Sequence, residues 1–183
     1  MGTTTTLMTF EEFEQLPDRP GKTELLNGEL IELPPAKKKH NKIGKRIFLA
    51  LHEAAAKLRR ERPDLALGSV DYEMSYRLSR HPDSCLIPDV SLTHPGQPGD
   101  DYYEGAPLLA VEVISETKTA EHTNGKVRSY FASGAAEVWV VYPETMSVWV
   151  FHGSSAVRVA TRLETALLPS FSMELSALFS AED

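Results

Sequence analysis

The chain has 183 residues, enough for one domain with a sizeable core, and its 42% hydrophobic and 25% charged residues are those of an ordinary soluble globular protein. No run approaches the ~20 apolar residues needed to cross a bilayer, no basic segment leads into an apolar one as in a secretory signal, and the single cysteine, Cys85, excludes an intramolecular disulfide and a cysteine-rich zinc cage. A formal charge of −7 counts against a generally basic nucleic-acid binder, although Lys37, Lys38, Lys39, His40, Lys42, Lys45 and Arg46 crowd into one stretch, followed by Lys57, Arg59, Arg60 and Arg62. The expected setting is the cytoplasm. Met1-Gly2 with Thr6 fits an N-myristoylation pattern loosely, and nothing else points to a membrane.

In chain order, Thr9 and Glu12 form a capping box for a short helix that Pro17 ends. Residues 24–33 predict a hairpin turned by Asn27-Gly28. From Asn41 to Arg60, the spacing of Ile43, Ile47, Ala50, Leu51, Ala54 and Leu58 predicts an amphipathic helix. Strict alternation from Val70 to Leu78 predicts one strand, and Cys85–Thr93 a second, with Cys85 as a buried structural thiol. Residues 94–106 read as a loop. Pro107–Ser115 is a continuous apolar run broken by Glu112, as in a central strand covered on both faces. A helix over Thr119–Ser133, capped by Gly134, precedes a hairpin of Val138–Tyr142 and Val148–His152. A further short strand and an apolar segment, Leu167–Phe179, complete a single domain spanning residues 1–183, with its core over about 9–179.

Glu112 is the most informative residue. An isolated buried carboxylate costs roughly several kcal/mol unless a cation or hydrogen-bond donors compensate it. Asp89 follows Pro88 in another apolar segment, so two carboxylates on adjacent strands can converge on a hard divalent cation. Taken singly, a core ion pair explains Glu112 and a turn explains Pro88-Asp89. Lys126, one helical turn before Tyr130, supplies a cation on the following helix, where solvated lysines are the rule.

With these residues in place the chain resembles the Uma-type restriction endonucleases of the PD-(D/E)XK nuclease superfamily, over about Thr9 to Phe179. The resemblance rests on Glu24-Leu25-Leu26-Asn27-Gly28-Glu29, His40, Pro88-Asp89-Val90, Val111-Glu112-Val113-Ile114-Ser115, Lys126 with Tyr130, and Gly134-Ala135-Ala136-Glu137-Val138-Trp139, in that order. It implies an α/β (α+β) fold, a restriction-endonuclease-like mixed β-sheet flanked by helices. It also implies Asp89 and Glu112 as metal ligands helped by the carbonyl of Val113, Lys126 in the role of the motif lysine whose usual position holds Ile114, and Glu24 as an auxiliary acid. The chain departs from the family pattern at Ser115-Glu116, at Glu121 as the nearest acid before the lysine, and at Ala135-Ala136.

The expected function is therefore a Mg²⁺-dependent endonuclease acting on DNA, with Mn²⁺ as a substitute metal and Lys38, Lys39, His40, Lys42 and Lys45 as phosphate contacts. A solvated basic helix end explains that stretch equally well. An inactive nuclease-fold binding module and a hydrolase of another phosphoester stand as alternatives. A homodimer, through the aromatic hairpin of Trp139, Tyr142, Trp149 and Phe151, would suit cleavage of both strands.

Overall fold

The computed structural model describes residues 7–17, 20–115 and 119–181, so the myristoylation pattern at the start and Glu116 lie outside the described residues. Helix α1 (Phe10–Glu14) carries the expected capping box, in which the Glu12 amide donates to Thr9 Oγ1 at 3.2 Å and the Thr9 amide to the Glu12 carboxylate at 2.8 Å. Strands β1 (Lys22–Leu26) and β2 (Glu29–Leu33) form the hairpin, with φ of 53° at Asn27 and 79° at Gly28. Those paired left-handed angles are why the turn carries Asn-Gly. Helix α2 (Lys38–Glu61) starts three residues before the expected point and buries Ile43, Gly44, Ile47, Leu51, Ala54 and Ala55.

The long alternating strand is corrected. Residues 70–78 divide into β3 (Val70–Tyr72) and β4 (Tyr76–Ser79), and residues 85–93 into β5 (Ser84–Leu86) and β6 (Val90–Leu92). Each pair stays antiparallel, yet β3 and β6 belong to one sheet and β4 and β5 to another. The bend falls where Glu73 takes a φ of 53° and donates its amide to the Asp89 carbonyl at 3.2 Å, beside Pro88, which has no amide hydrogen to donate to a ladder. Period-two patterning survives because both halves keep a buried face.

A two-residue strand, β7 (Tyr103–Glu104), interrupts the expected loop and pairs in parallel with β4. The fully buried β8 (Leu109–Val113) then leads to α3 (Ala120–Ala132), which Thr119 caps. The Ala135 amide donates to the Tyr130 carbonyl at 3.0 Å and Gly134 has a φ of 108°, a Schellman-type end to that helix. The chain finishes with β9 (Glu137–Tyr142), β10 (Ser147–His152), β11 (Ser155–Arg158), β12 (Arg162–Glu164), β13 (Ser172–Glu174) and the short α4 (Leu175–Leu178).

The larger sheet runs β11-β10-β9-β8-β6-β3, antiparallel except for the parallel pair β8–β9; the second runs β2-β1-β5-β4-β7. Strand β8 is central, so α3 is the crossover that parallel pairing requires. One face of the larger sheet packs Leu109, Val111, Val113, Trp139 and Val141 against α2 and the C-terminal segment. Its other face packs Ala110, Val138 and Val140 against Val127 and Tyr130 of α3 and against Leu26, Tyr76 and Leu86 of the second sheet. Phe10, Leu25 and Cys85 form a third cluster beneath α1. Trp139 is buried, whereas Trp149 stays exposed beside the edge strand β11.

Candidate active site

The bend at Pro88-Asp89 and the centre of β8 place the two expected acids side by side. Val90 pairs with Val111, the Asp89 amide donates to the Val111 carbonyl at 2.9 Å, and the Val113 amide donates to Asp89 Oδ2 at 2.6 Å. Side chains alternate along a strand, so Glu112 points away from the α2 face that Val111 and Val113 occupy. It meets α3 instead. Both carboxylates are buried, at 1% exposure each.

Around Glu112 the network is closed. Tyr130 Oη donates to Glu112 Oε1 at 2.8 Å, and Lys126 Nζ lies 2.5 Å from the same oxygen. Lys126 also donates to Glu24 Oε1 at 2.8 Å and to Glu24 Oε2 at 3.0 Å, while the Ile87 amide donates to Glu24 Oε1 at 2.8 Å. The i, i+4 spacing of Lys126 and Tyr130 thus delivers a cation and a hydroxyl to one acid. Burial opposes the charge on Lys126, but Glu112 and Glu24 outweigh it and hold the lysine pKa above its ordinary value. Burial, then Glu112 and Glu24, push the Tyr130 phenol well up, so it remains a hydrogen-bond donor.

Around Asp89 the arrangement is open on one side. Lys22 Nζ makes a short hydrogen bond to Asp89 Oδ1 and lies 3.2 Å from Glu73 Oε1; His40 Nε2 lies 3.2 Å from the same Asp89 oxygen. Burial pulls the Lys22 pKa down, and Asp89, helped by Glu112 and Glu73, more than restores it, leaving it raised. Nδ1 of His40 is buried with no hydrogen-bond partner among the described residues. A cleft of about 420 Å³ opens here, bordered by Lys22, Lys37, Lys39, His40, Asp89 and Ile114. Glu24, Glu112 and Lys126 border a separate cavity of only about 10 Å³; Leu33 and Ile114 line both.

The structure thus brings Glu24, Asp89, Glu112, Val113, Lys126 and His40 to one locality and adds Lys22, which the sequence reading missed. The basic residues divide. Lys38 and Lys45 are exposed, Lys42 is half-buried, and Lys39 pairs with Glu144 at 2.8 Å. Arg46 donates to the carbonyls of Leu178 and Ser180 at 3.0 and 2.7 Å, at and just beyond the end of α4. The second basic run lies at the far end of the 24-residue α2, roughly 27 Å away along the helix, with Arg59 bonded to the Gly68 carbonyl and Arg62 to Asp64. Glu121 is exposed in the first turn of α3.

Among the described residues, three buried carboxylates (Glu24, Asp89, Glu112) share two ammonium groups (Lys22, Lys126). That donor set suits a hard divalent cation, which takes one or two protein carboxylates and leaves its other positions to carbonyl, water or phosphate oxygens. No group of three or more His, Cys, Asp and Glu side chains suited to hold a metal occurs among the described residues. Cys85 plays no part here: burial, and then Glu24, push its thiol up to about 12.

A family model described as "Putative restriction endonuclease", Uma2, matches residues 10–180. The chain is similar to a solved structure from Anabaena variabilis described as a putative nuclease belonging to DUF820, with a TM-score of 0.80 at 17% identity, covering 94% of this chain and 97% of that one. At that identity the likeness speaks to the fold. No curated protein matches the chain. No helix among the described residues is long and apolar enough to cross a membrane.

Proposed function

The chain belongs to the Uma2 family, a nuclease family by its description, and from that premise we propose that it is a divalent-metal-dependent endonuclease hydrolysing phosphodiester bonds in DNA. The observation that carries this reading is the pair of buried carboxylates, Asp89 and Glu112, held on neighbouring strands, with Asp89 lining a cleft rimmed with basic side chains.

Asp89, Glu112 and the Val113 carbonyl would hold Mg²⁺ or Mn²⁺. Bound there, the ion would supply Lewis acidity toward the phosphate and acidify the attacking water. The chain's own residues do the rest. Val113 fixes one oxygen of Asp89, Tyr130 and Lys126 fix Glu112, and Glu24 fixes Lys126, so both acids are held in position before substrate arrives. In the net reaction a water oxygen bonds to phosphorus, one P–O bond to the sugar breaks, and the leaving oxygen takes up a proton. Lys38, Lys42 and Lys45 at the start of α2 contribute sequence-independent phosphate contacts. Two chains would be required to cut both strands together.

One observation favours a second reading, an inactive binding module: Asp89 already receives Lys22, His40 and the Val113 amide and is satisfied without a metal. Incubation of supercoiled plasmid with the protein and Mg²⁺ or Mn²⁺ at low salt separates the two. Nicking or linearisation that EDTA stops, absent in folded Asp89→Asn and Glu112→Gln proteins, is the expected result. Intact plasmid, single strands and RNA with a folded wild-type protein would leave the binding module standing.

A further inference from the structure

The lysine usual two residues after the acid of β8 is replaced here by Ile114, and the family resemblance moves its role to Lys126. The geometry does not suit Lys126 to meet a substrate. An ammonium group has three hydrogens to donate, and three carboxylate oxygens already surround it, Glu24 Oε1 at 2.8 Å, Glu24 Oε2 at 3.0 Å and Glu112 Oε1 at 2.5 Å. Its side chain is 5% exposed, and the cavity it borders, about 10 Å³, cannot admit a phosphate.

Lys22 differs on every count. It starts β1 two residues before Glu24, so strand alternation puts both on the same face. Its ammonium reaches Asp89 from the large cleft, with 17% of the side chain exposed and its other ion-pair partner, Glu73, exposed at 3.2 Å. Lys22 is therefore a cation beside the candidate ligand, on the side from which a nucleic acid can approach.

We propose that Lys22 is the ammonium group that contacts the scissile phosphate, donating to a non-bridging oxygen, and that Lys126 is a positioning residue for Glu24 and Glu112. This rests on the nuclease reading above. Binding of a fluorescein-labelled DNA duplex is measured against salt in Ca²⁺, and plasmid cleavage in Mg²⁺, for wild type, Lys22→Met, Lys22→Arg and the charge-balanced Glu24→Gln/Lys126→Met protein. Losing one phosphate contact lowers the slope of log K against log salt by about 0.9. The expected result is that loss in Lys22→Met, with cleavage slowed about 100-fold or more. Lys22→Arg keeps the wild-type slope, and so does the double variant, whose lost ammonium had no donor left to give. A wild-type slope and rate in folded Lys22→Met, or a lowered slope in the double variant alone, overturns the proposal while the nuclease reading stands. A wild type that neither binds duplex nor cuts plasmid overturns both.

Discussion

Two carboxylate–ammonium clusters stand a few side chains apart and are built in opposite ways. Glu24–Lys126–Glu112 is packed between the two sheets and α3, with Tyr130 and Lys126 on one oxygen of Glu112 and a cavity of only about 10 Å³ beside it, too small for a phosphate. Asp89–Lys22 sits at the floor of an open cleft, with His40 on the same oxygen and exposed Glu73 behind. Ile114 and Leu33 are the partition between them. Glu24 and Lys126 act as scaffold and Asp89 and Lys22 as working surface, with Glu112 anchored by the first to serve the second, so similar ion pairs predict unequal consequences of mutation.

The largest effect belongs to activity on the open side. Asp89→Asn keeps an oxygen for the Val113 amide but gives up the charge, and cleavage should fall at least about 100-fold with little change in melting temperature. A melting temperature that collapses with the activity would erase the distinction between surface and scaffold. Next comes stability on the sealed side. Lys126→Met strands two buried acids and should cost about 3–5 kcal/mol in urea unfolding, whereas Lys22→Met should cost clearly less. Adding Glu24→Gln to Lys126→Met should recover part of that loss, because one stranded charge is removed.

Smaller effects sharpen the picture. Tyr130→Phe removes a single hydrogen bond to a charged acid, worth roughly 1.5–3 kcal/mol in the same unfolding measurement. Cys85 offers a pH test away from the site. Its thiol is raised from 9.0 to about 12 by burial, so its contribution to stability is complete below pH 9 and is lost as pH rises toward 12. Native protein at pH 8 should leave a thiol reagent unreacted until urea is added; rapid labelling without urea would mean that the cluster beneath α1 opens readily.

Much of this was legible in the sequence, and the gaps have physical causes. Asp89 and Glu112 stood out because a lone acid in an apolar strand demands compensation, and Asn27-Gly28 announced its turn by backbone chemistry alone. The bent hairpin was not legible, since alternation reports which face is buried and says nothing about which sheet buries it. Lys22 was missed for a related reason. In Gly21-Lys22-Thr23 it reads as the polar start of an edge strand, and its contact depends on β1 lying beside β5, which leads into the Pro88-Asp89 bend. The basic run from Lys37 to Arg46 looked uniform, yet Arg46 serves the C-terminal segment and Lys39 pairs with Glu144, which only the path of α2 past those elements reveals.

The central claim is that Asp89 and Glu112 together hold a divalent cation. Titration of Mn²⁺ into the folded protein by calorimetry, with Asp89→Asn and Glu112→Gln beside it, tests that claim directly. The account predicts a saturable binding isotherm for wild type that both substitutions abolish while their melting curves remain cooperative. Binding that survives both substitutions, or no binding to wild type even with duplex DNA present, would contradict it.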